Sequence, residues 1–290
     1  VCHVRERFFT LIANDEILDF MEIMEINLAQ EKVLSEVKNY LAPHEKEAMF
    51  ILGNLQQEIF AHIYIAKIGD RIVGVCGYYP LFHSCSIFSE TTEASILLGR
   101  VVKDTYITKA LVGMKKIVQP VCDDWVAAGK KLINVPEQDF YELPLDEFVP
   151  YPLREGSICE VDESNVCDVV MLQRILHEES LIGAPRTEEK ERVLANPIRF
   201  GVKTEGKIVS VAISNGLAIH AFQILGVVTD PNFRGRGYAR AVCSHLIMNM
   251  KEKGAKKAIL FTCKNNLSAK KCYQSLGFRI TDSYYVSLFQ

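Results

Sequence analysis

The chain has 290 residues, 49% hydrophobic and 24% charged, with a formal net charge of −3. Those proportions belong to a globular protein with enough chain for two ordinary domains. They exclude nucleic-acid binding by bulk basicity, and no apolar run approaches the ~18 residues that a membrane span requires.

In chain order, the residues up to about 57 read as helical stretches. Residues 63–79 then read as strand, glycine-containing turn, strand. An apolar run at 95–99 reads as a further strand, and residues around 109–131 as a helix. Two prolines in Val149-Pro150-Tyr151-Pro152-Leu153 disfavour helix and mark a linker.

Beyond it, residues 157–161 are strand-like, and helical patterns follow around 165–179 and 187–195. A second hairpin at 200–214 repeats the first: Lys207-Ile208-Val209-Ser210-Val211 echoes Arg71-Ile72-Val73-Gly74-Val75. Likewise Gln223-Ile224-Leu225-Gly226 echoes Ser95-Ile96-Leu97-Leu98-Gly99. Self-similarity at this separation predicts tandem domains of related fold, over 1–150 and 155–290.

The nine cysteines include no C-x-x-C pair, so neither a zinc knuckle nor any other metal site is expected. Reduced thiols and an opening segment without signal-peptide character predict a cytoplasmic protein.

Chemistry concentrates after residue 222. A β-branched strand ending in Val227-Val228-Thr229 is broken by Asp230-Pro231-Asn232-Phe233. Arg234-Gly235-Arg236-Gly237 follows and opens a helix whose apolar residues recur at three-four spacing from Ala239 to Met250. A helix N-terminus carries unpaired N–H groups and partial positive charge. Glycines let a ligand reach that backbone, and two arginines add forked cationic donors. The combination predicts a diphosphate cradle. A Walker loop is absent, and the Rossmann pattern fails because Arg240 stands at its last position.

The order of pieces around this loop resembles the GNAT acetyltransferase superfamily. Its cofactor signature, Gln/Arg-x-x-Gly-x-Gly/Ala, appears as Arg234-x-x-Gly237-x-Ala239. A strand over 258–263, Asn266, Tyr273 and Leu276-Gly277-Phe278 follow in the family's order, and 283–289 supplies a terminal strand.

The resemblance implies an α/β (α+β) fold of two GNAT-like domains. Each would have a mixed, mostly antiparallel sheet flanked by helices, with a splayed strand pair in the C-terminal one. It implies acetyl-CoA as acyl donor, its pantetheine arm on Val227, Val228 and Thr229. The diphosphate would lie on Arg234, Gly235, Arg236, Gly237, Tyr238 and Ala239, with further contacts from Asn266 and Lys270. Tyr273 corresponds to the family's proton donor to the departing sulfur.

The implied reaction is direct attack by a primary amine, of a small molecule or an amino-terminal group. Glu178, Glu179 and His220 are the candidate bases. A non-catalytic acyl-CoA sensor or interaction protein is the alternative. A homodimer is one arrangement open to such a chain. The first domain lacks the cradle motif after Gly99 and is expected to have lost the cofactor site.

Overall fold

The computed structural model describes residues 6–13, 16–56, 58, 61–135, 137–178 and 184–290. The chain divides into two compact units, Val1–Gln138 with Asp282–Gln290, and Asp139–Thr281. The division thus falls before the proline-rich segment, and the last nine residues belong to the first unit.

The first unit opens on two paired strands, β1 (Glu6–Ala13) and β2 (Glu16–Ile26), where helices were expected. Aromatic and β-branched residues in this stretch favour strand. Pairing of β2 with β3 (His62–Ile68) adds a long-range ladder that local periodicity cannot report. Between them lie α1 (Glu31–Leu41) and α2 (Met49–Gln56). Then come β4 (Arg71–Tyr79), β5 (Ser84–Ser89), α3 (Thr92–Thr105), β6 (Ala110–Met114), α4 (Lys115–Ala127) and β7 (Leu132–Asn134).

The expected strand at 95–99 lies inside α3. Thr91 caps this helix, its Oγ1 accepting from the Ala94 amide at 3.2 Å. Leu97, Leu98, Val101 and Val102 are buried at helical spacing. Gly99 is needed there because a Cβ would collide with Val121 on α4. The strand that precedes this helix, as the strand of 222–229 precedes its own, is β5. It runs into Glu90-Thr91 without glycines.

The second unit contains β8 (Gln138–Pro144), β9 (Ser157–Glu160), α5 (Val166–Leu176), α6 (Thr187–Leu194), β10 (Ile198–Thr204) and β11 (Lys207–Leu217). It continues with β12 (Ala221–Thr229), α7 (Tyr238–Glu252), β13 (Lys257–Cys263) and α8 (Leu267–Gln274). Its sheet order is β8-β13-β12-β11-β10-β9, and β12 pairs with β13 in parallel. In both units a hairpin, a strand, a helix and a parallel strand follow one another, β5 and β6 being the parallel pair of the first.

The final strand, β14 (Arg279–Phe289), runs antiparallel to β6 over Tyr284–Leu288, so it completes the first unit's sheet. Residues 149–153 form a docked strap rather than a free linker. The Tyr151 amide donates to Ser244 Oγ at 2.9 Å, and Tyr151 and Leu153 pack on the core beneath α7. The prolines keep the strap extended while its apolar side chains hold it down.

One ion pair fixes α5 to α6. Arg174 grips Glu189 in a fork, Nε to Oε1 and Nη2 to Oε2, both 2.8 Å, with both side chains buried. The Arg174 bonds first, and those of Arg186 after them, hold the Glu189 carboxyl well below its usual range. A depressed carboxyl contributes stability above its unfolded pKa and loses it as pH falls through the folded one. Melting temperature should therefore fall on acidification below about pH 4.5, and Glu189→Gln should lower it at neutral pH and flatten that acid limb. Parallel acid limbs in thermal melts of the two proteins would contradict the assignment.

Candidate functional site

The site is built where β12 leaves β13. Among the described residues the parallel pairing covers Ala221, Phe222 and Gln223. Beyond Gln223, β12 is held from one side, by β11, and the edge facing away from β11 opens. A bulge falls in the same stretch: Val211 pairs with Val228 and Ile213 with Leu225, so Gly226 and Val227 oppose the single residue Ala212. Gly226 takes φ +60°, and a Cβ there would lie 2.9 Å from Gln173 Nε2. Gln173 instead donates that amide to Gly226 O at 3.0 Å, locking the bulge from α5. This clamp was not anticipated from the sequence, since only a helix-to-strand contact reveals it.

The Asp230 amide donates to Val209 O at 2.9 Å. Alternation along the ladder then makes Val211–Val228 a hydrogen-bonded pair, and Val227 and Thr229 direct their N–H and C=O groups to the open edge. The side chains divide the same way. Val228 is buried in the cluster under α5, whereas Val227 packs against the cluster that contains Tyr273. Thr229 is partly engaged already, its Oγ1 with Ser210 Oγ at 2.8 Å and its carbonyl accepting from Arg234 Nε at 3.2 Å.

The loop that follows is glycine-dependent at two points. Gly235 has φ +80° and Gly237 φ +82°, the latter preceding the first turn of α7. None of the amides from Gly235 to Arg240 finds an acceptor among the described residues. The first bond into α7 is Ala241 N to Gly237 O, at 2.9 Å. Six consecutive N–H groups without an acceptor among the described residues thus stand at the positive end of a fifteen-residue helix, a setting that suits an anion. Arg234 and Arg236 stand exposed beside them and form no ion pair among the described residues. Tyr238 is 3% exposed, so it offers the site its amide while its ring fills the core.

The other predicted residues divide. Asn266 caps α8, its Oδ1 accepting from the Ala269 amide at 3.1 Å and from Ser268 Oγ at 3.0 Å, which leaves its NH2 group outward. Tyr273 is 7% exposed and packs edge-on to Tyr141 at 6.2 Å, with no hydrogen bond to its hydroxyl among the described residues. Burial, with the Cys243 and Cys272 thiols and Tyr141 nearby, pushes its phenol well above the usual range. It stays protonated through the neutral range.

Lys270 does not stand free for a phosphate. Its ammonium is 2.6 Å from the buried Asp139 carboxylate, a partner 131 positions upstream that the sequence could not pair with it. Glu178 is exposed beyond the end of α5, with φ +55° and no ion pair among the described residues. Glu179 lies outside the described residues. His220 precedes β12 at the end remote from the bulge, ~20 Å of strand from Val227, and its carbonyl accepts the Lys256 and Lys257 amides. No group of three or more His, Cys, Asp or Glu able to hold a metal occurs among the described residues. No helix there is long and apolar enough to cross a membrane.

Residues 169–278 match the family model described as Acetyltransferase (GNAT) family. A curated relative, the ribosomal protein bS18-alanine N-acetyltransferase of Escherichia coli, is 28% identical over 91 residues. The match covers 30% of this chain and 61% of that protein, so the chain spans less than two thirds of its relative. A GNAT-family protein from Novosphingobium aromaticivorans shares the fold with a TM-score of 0.57 at 19% identity, over 85% of this chain and 97% of that one. A tandem GNAT protein from the clavulanic acid biosynthesis pathway does so with a TM-score of 0.60 at 12% identity, over 93% and 98%.

Proposed function

We propose, from a chain whose residues 169–278 are a domain of the GNAT acetyltransferase family, that the protein transfers an acetyl group from acetyl-CoA to a primary amine. The observation that carries this reading is the run of six amides from Gly235 to Arg240, at the start of α7, that find no acceptor among the described residues. In it the diphosphate lies on those amides, with Arg234 and Arg236 at its flanks. The pantetheine arm runs along the outward backbone of Val227 and Thr229.

The amine attacks the thioester carbon and forms a tetrahedral oxyanion beside the bulge, where the Val227 amide supplies a donor. Collapse breaks the C–S bond. Tyr273 gives its proton to the leaving thiolate and is reprotonated from solvent. The amine's own proton leaves through water, with Glu178 as an exposed carboxylate able to receive it. Lys270, held by Asp139, has no part in this reading.

The test follows free thiol during incubation with acetyl-CoA and a panel of amines. Amine-dependent thiol release is expected. Tight acetyl-CoA binding without release on any amine would favour a non-catalytic binding protein instead.

Tyr273→Phe should lower kcat ~100-fold, the low end for loss of a general acid, and leave the KM for acetyl-CoA within about threefold. Because the phenol's pKa is raised, wild-type activity should hold to about pH 10 before any alkaline loss from this group. A variant with unchanged kcat would remove Tyr273 from the mechanism.

A further inference from the structure

β11 and β12 carry two buried amide side chains that this reaction does not use. Between the pairs Ser214–Ile224 and Leu217–Phe222 the register shifts, so Asn215 and Gly216 together stand against the single residue Gln223. Alternation along each strand puts Asn215 and Gln223 on the face of Ile213 and Leu225, the face that packs under α5. Asn215 is 2% exposed and Gln223 3%. Neither Nδ2 nor Oδ1 of Asn215 has a hydrogen-bond partner among the described residues. The shift leaves β11 with an extra residue beside Asn215. Bulges re-aim side chains in this way. A buried carboxamide without either bond is strongly disfavoured, and folded proteins resolve such a group with a water or a ligand.

We propose that Asn215, with Gln223 beside it, is an acceptor subsite that takes a peptide unit. The acceptor class is then an amino-terminal peptide segment rather than a polyamine or other simple amine. This rests on the acetyl-transfer reading.

A carboxamide presents a donor and an acceptor side by side, and a ligand that satisfies both must present an acceptor and a donor together. A peptide unit does. A carboxylate or phosphate only accepts, leaving Oδ1 unpaired. An alkylammonium only donates, and at this depth it would face Ile213 and Leu225 without a counter-charge. Gln223 precedes Gly226 by three residues, ~10 Å along the strand, and two peptide units of extended chain span ~7 Å. An acceptor with its amine at the bulge therefore lays its first peptide units past Leu225 toward Asn215.

The experiment uses the full chain with three acceptors: alanyl-alanine amide, isopropylamine and spermidine. Thiol release is followed for each. The Asn215 side-chain NH2 signal is followed by NMR in the CoA-bound protein, assigned through its disappearance in Asn215→Asp. The dipeptide amide should move that signal and be acetylated at least about tenfold more efficiently than either amine. Asn215→Asp, which keeps the shape and loses the donors, and Asn215→Leu should each cut dipeptide kcat/KM by about tenfold or more. Acetyl-CoA affinity and the isopropylamine rate should stay within about twofold, which also certifies that the variants fold.

An unmoved signal, a preference for spermidine, or equal losses on dipeptide and isopropylamine would overturn the proposal and leave Asn215 as the seat of a buried water. Thiol release without dipeptide preference sinks this inference alone. No release with any of the three sinks the acetyl-transfer reading, and this one with it.

Discussion

Gly237→Glu should weaken acetyl-CoA binding at least 100-fold, about 2.7 kcal/mol, in calorimetric titration. Three effects act together at this position. Gly237 has φ +82°, a conformation that L side chains rarely adopt. Any Cβ would lie 2.7 Å from Tyr151 Oη, and the Tyr151 ring is pinned by the Arg240 guanidinium stacked 4.2 Å from its centre. The added carboxylate would then compete for the amides proposed to hold the diphosphate. Gly235→Ala separates these effects. It carries similar strain at φ +80°, yet its Cβ would meet nothing within 4 Å. It should therefore bind within about tenfold of wild type if strain alone costs 1 kcal/mol or so. Normal acetyl-CoA binding by Gly237→Glu would remove the cradle from the reading altogether.

Deleting Asp282–Gln290 should unfold the first unit while the second keeps its fold. The deleted segment pairs with β6 through five residues. It buries Tyr284 and Phe289, the latter against Trp125 with ring centroids 5.1 Å apart. Two buried aromatics at roughly 1.5–3 kcal/mol each, plus a strand's hydrogen bonds, approach the 5–15 kcal/mol that a whole domain has to spare. Phe289→Ala alone should cost about 3–5 kcal/mol. Hydrogen exchange read by mass spectrometry should show lost protection in β5, β6 and α4, with α7 and β12 still protected. Uniform loss across both units, or none in either, would contradict this account.

The strand, the glycine turn and the helix of 222–252 were legible in the sequence because they are local. Glycines at Gly235 and Gly237, a strand before them and an apolar helix face after them lie within thirty residues of one another. The run 95–99 was misread because short apolar stretches suit strand and helix alike, and the decisive cap at Thr91 lies outside the run. Lys270 looked like a phosphate ligand because its partner Asp139 is remote in the chain. Gln173 and Asn215 gave no signal at all, since a lone amide acquires meaning from the strand it faces. The segment 283–289 was legible as a strand, but nothing in its own pattern says which sheet it joins.

That last assignment has a consequence for biosynthesis. The edge of β6 and the face of Trp125 wait for a strand encoded after the whole second unit, Asp139–Thr281. At roughly 5–20 residues per second of translation, some 143 intervening residues delay it by about 7–30 s. The earlier half of a nascent chain therefore waits through the synthesis of the whole second unit for its last strand. During that interval it presents an unpaired strand edge, a natural place for a ribosome-associated chaperone to act.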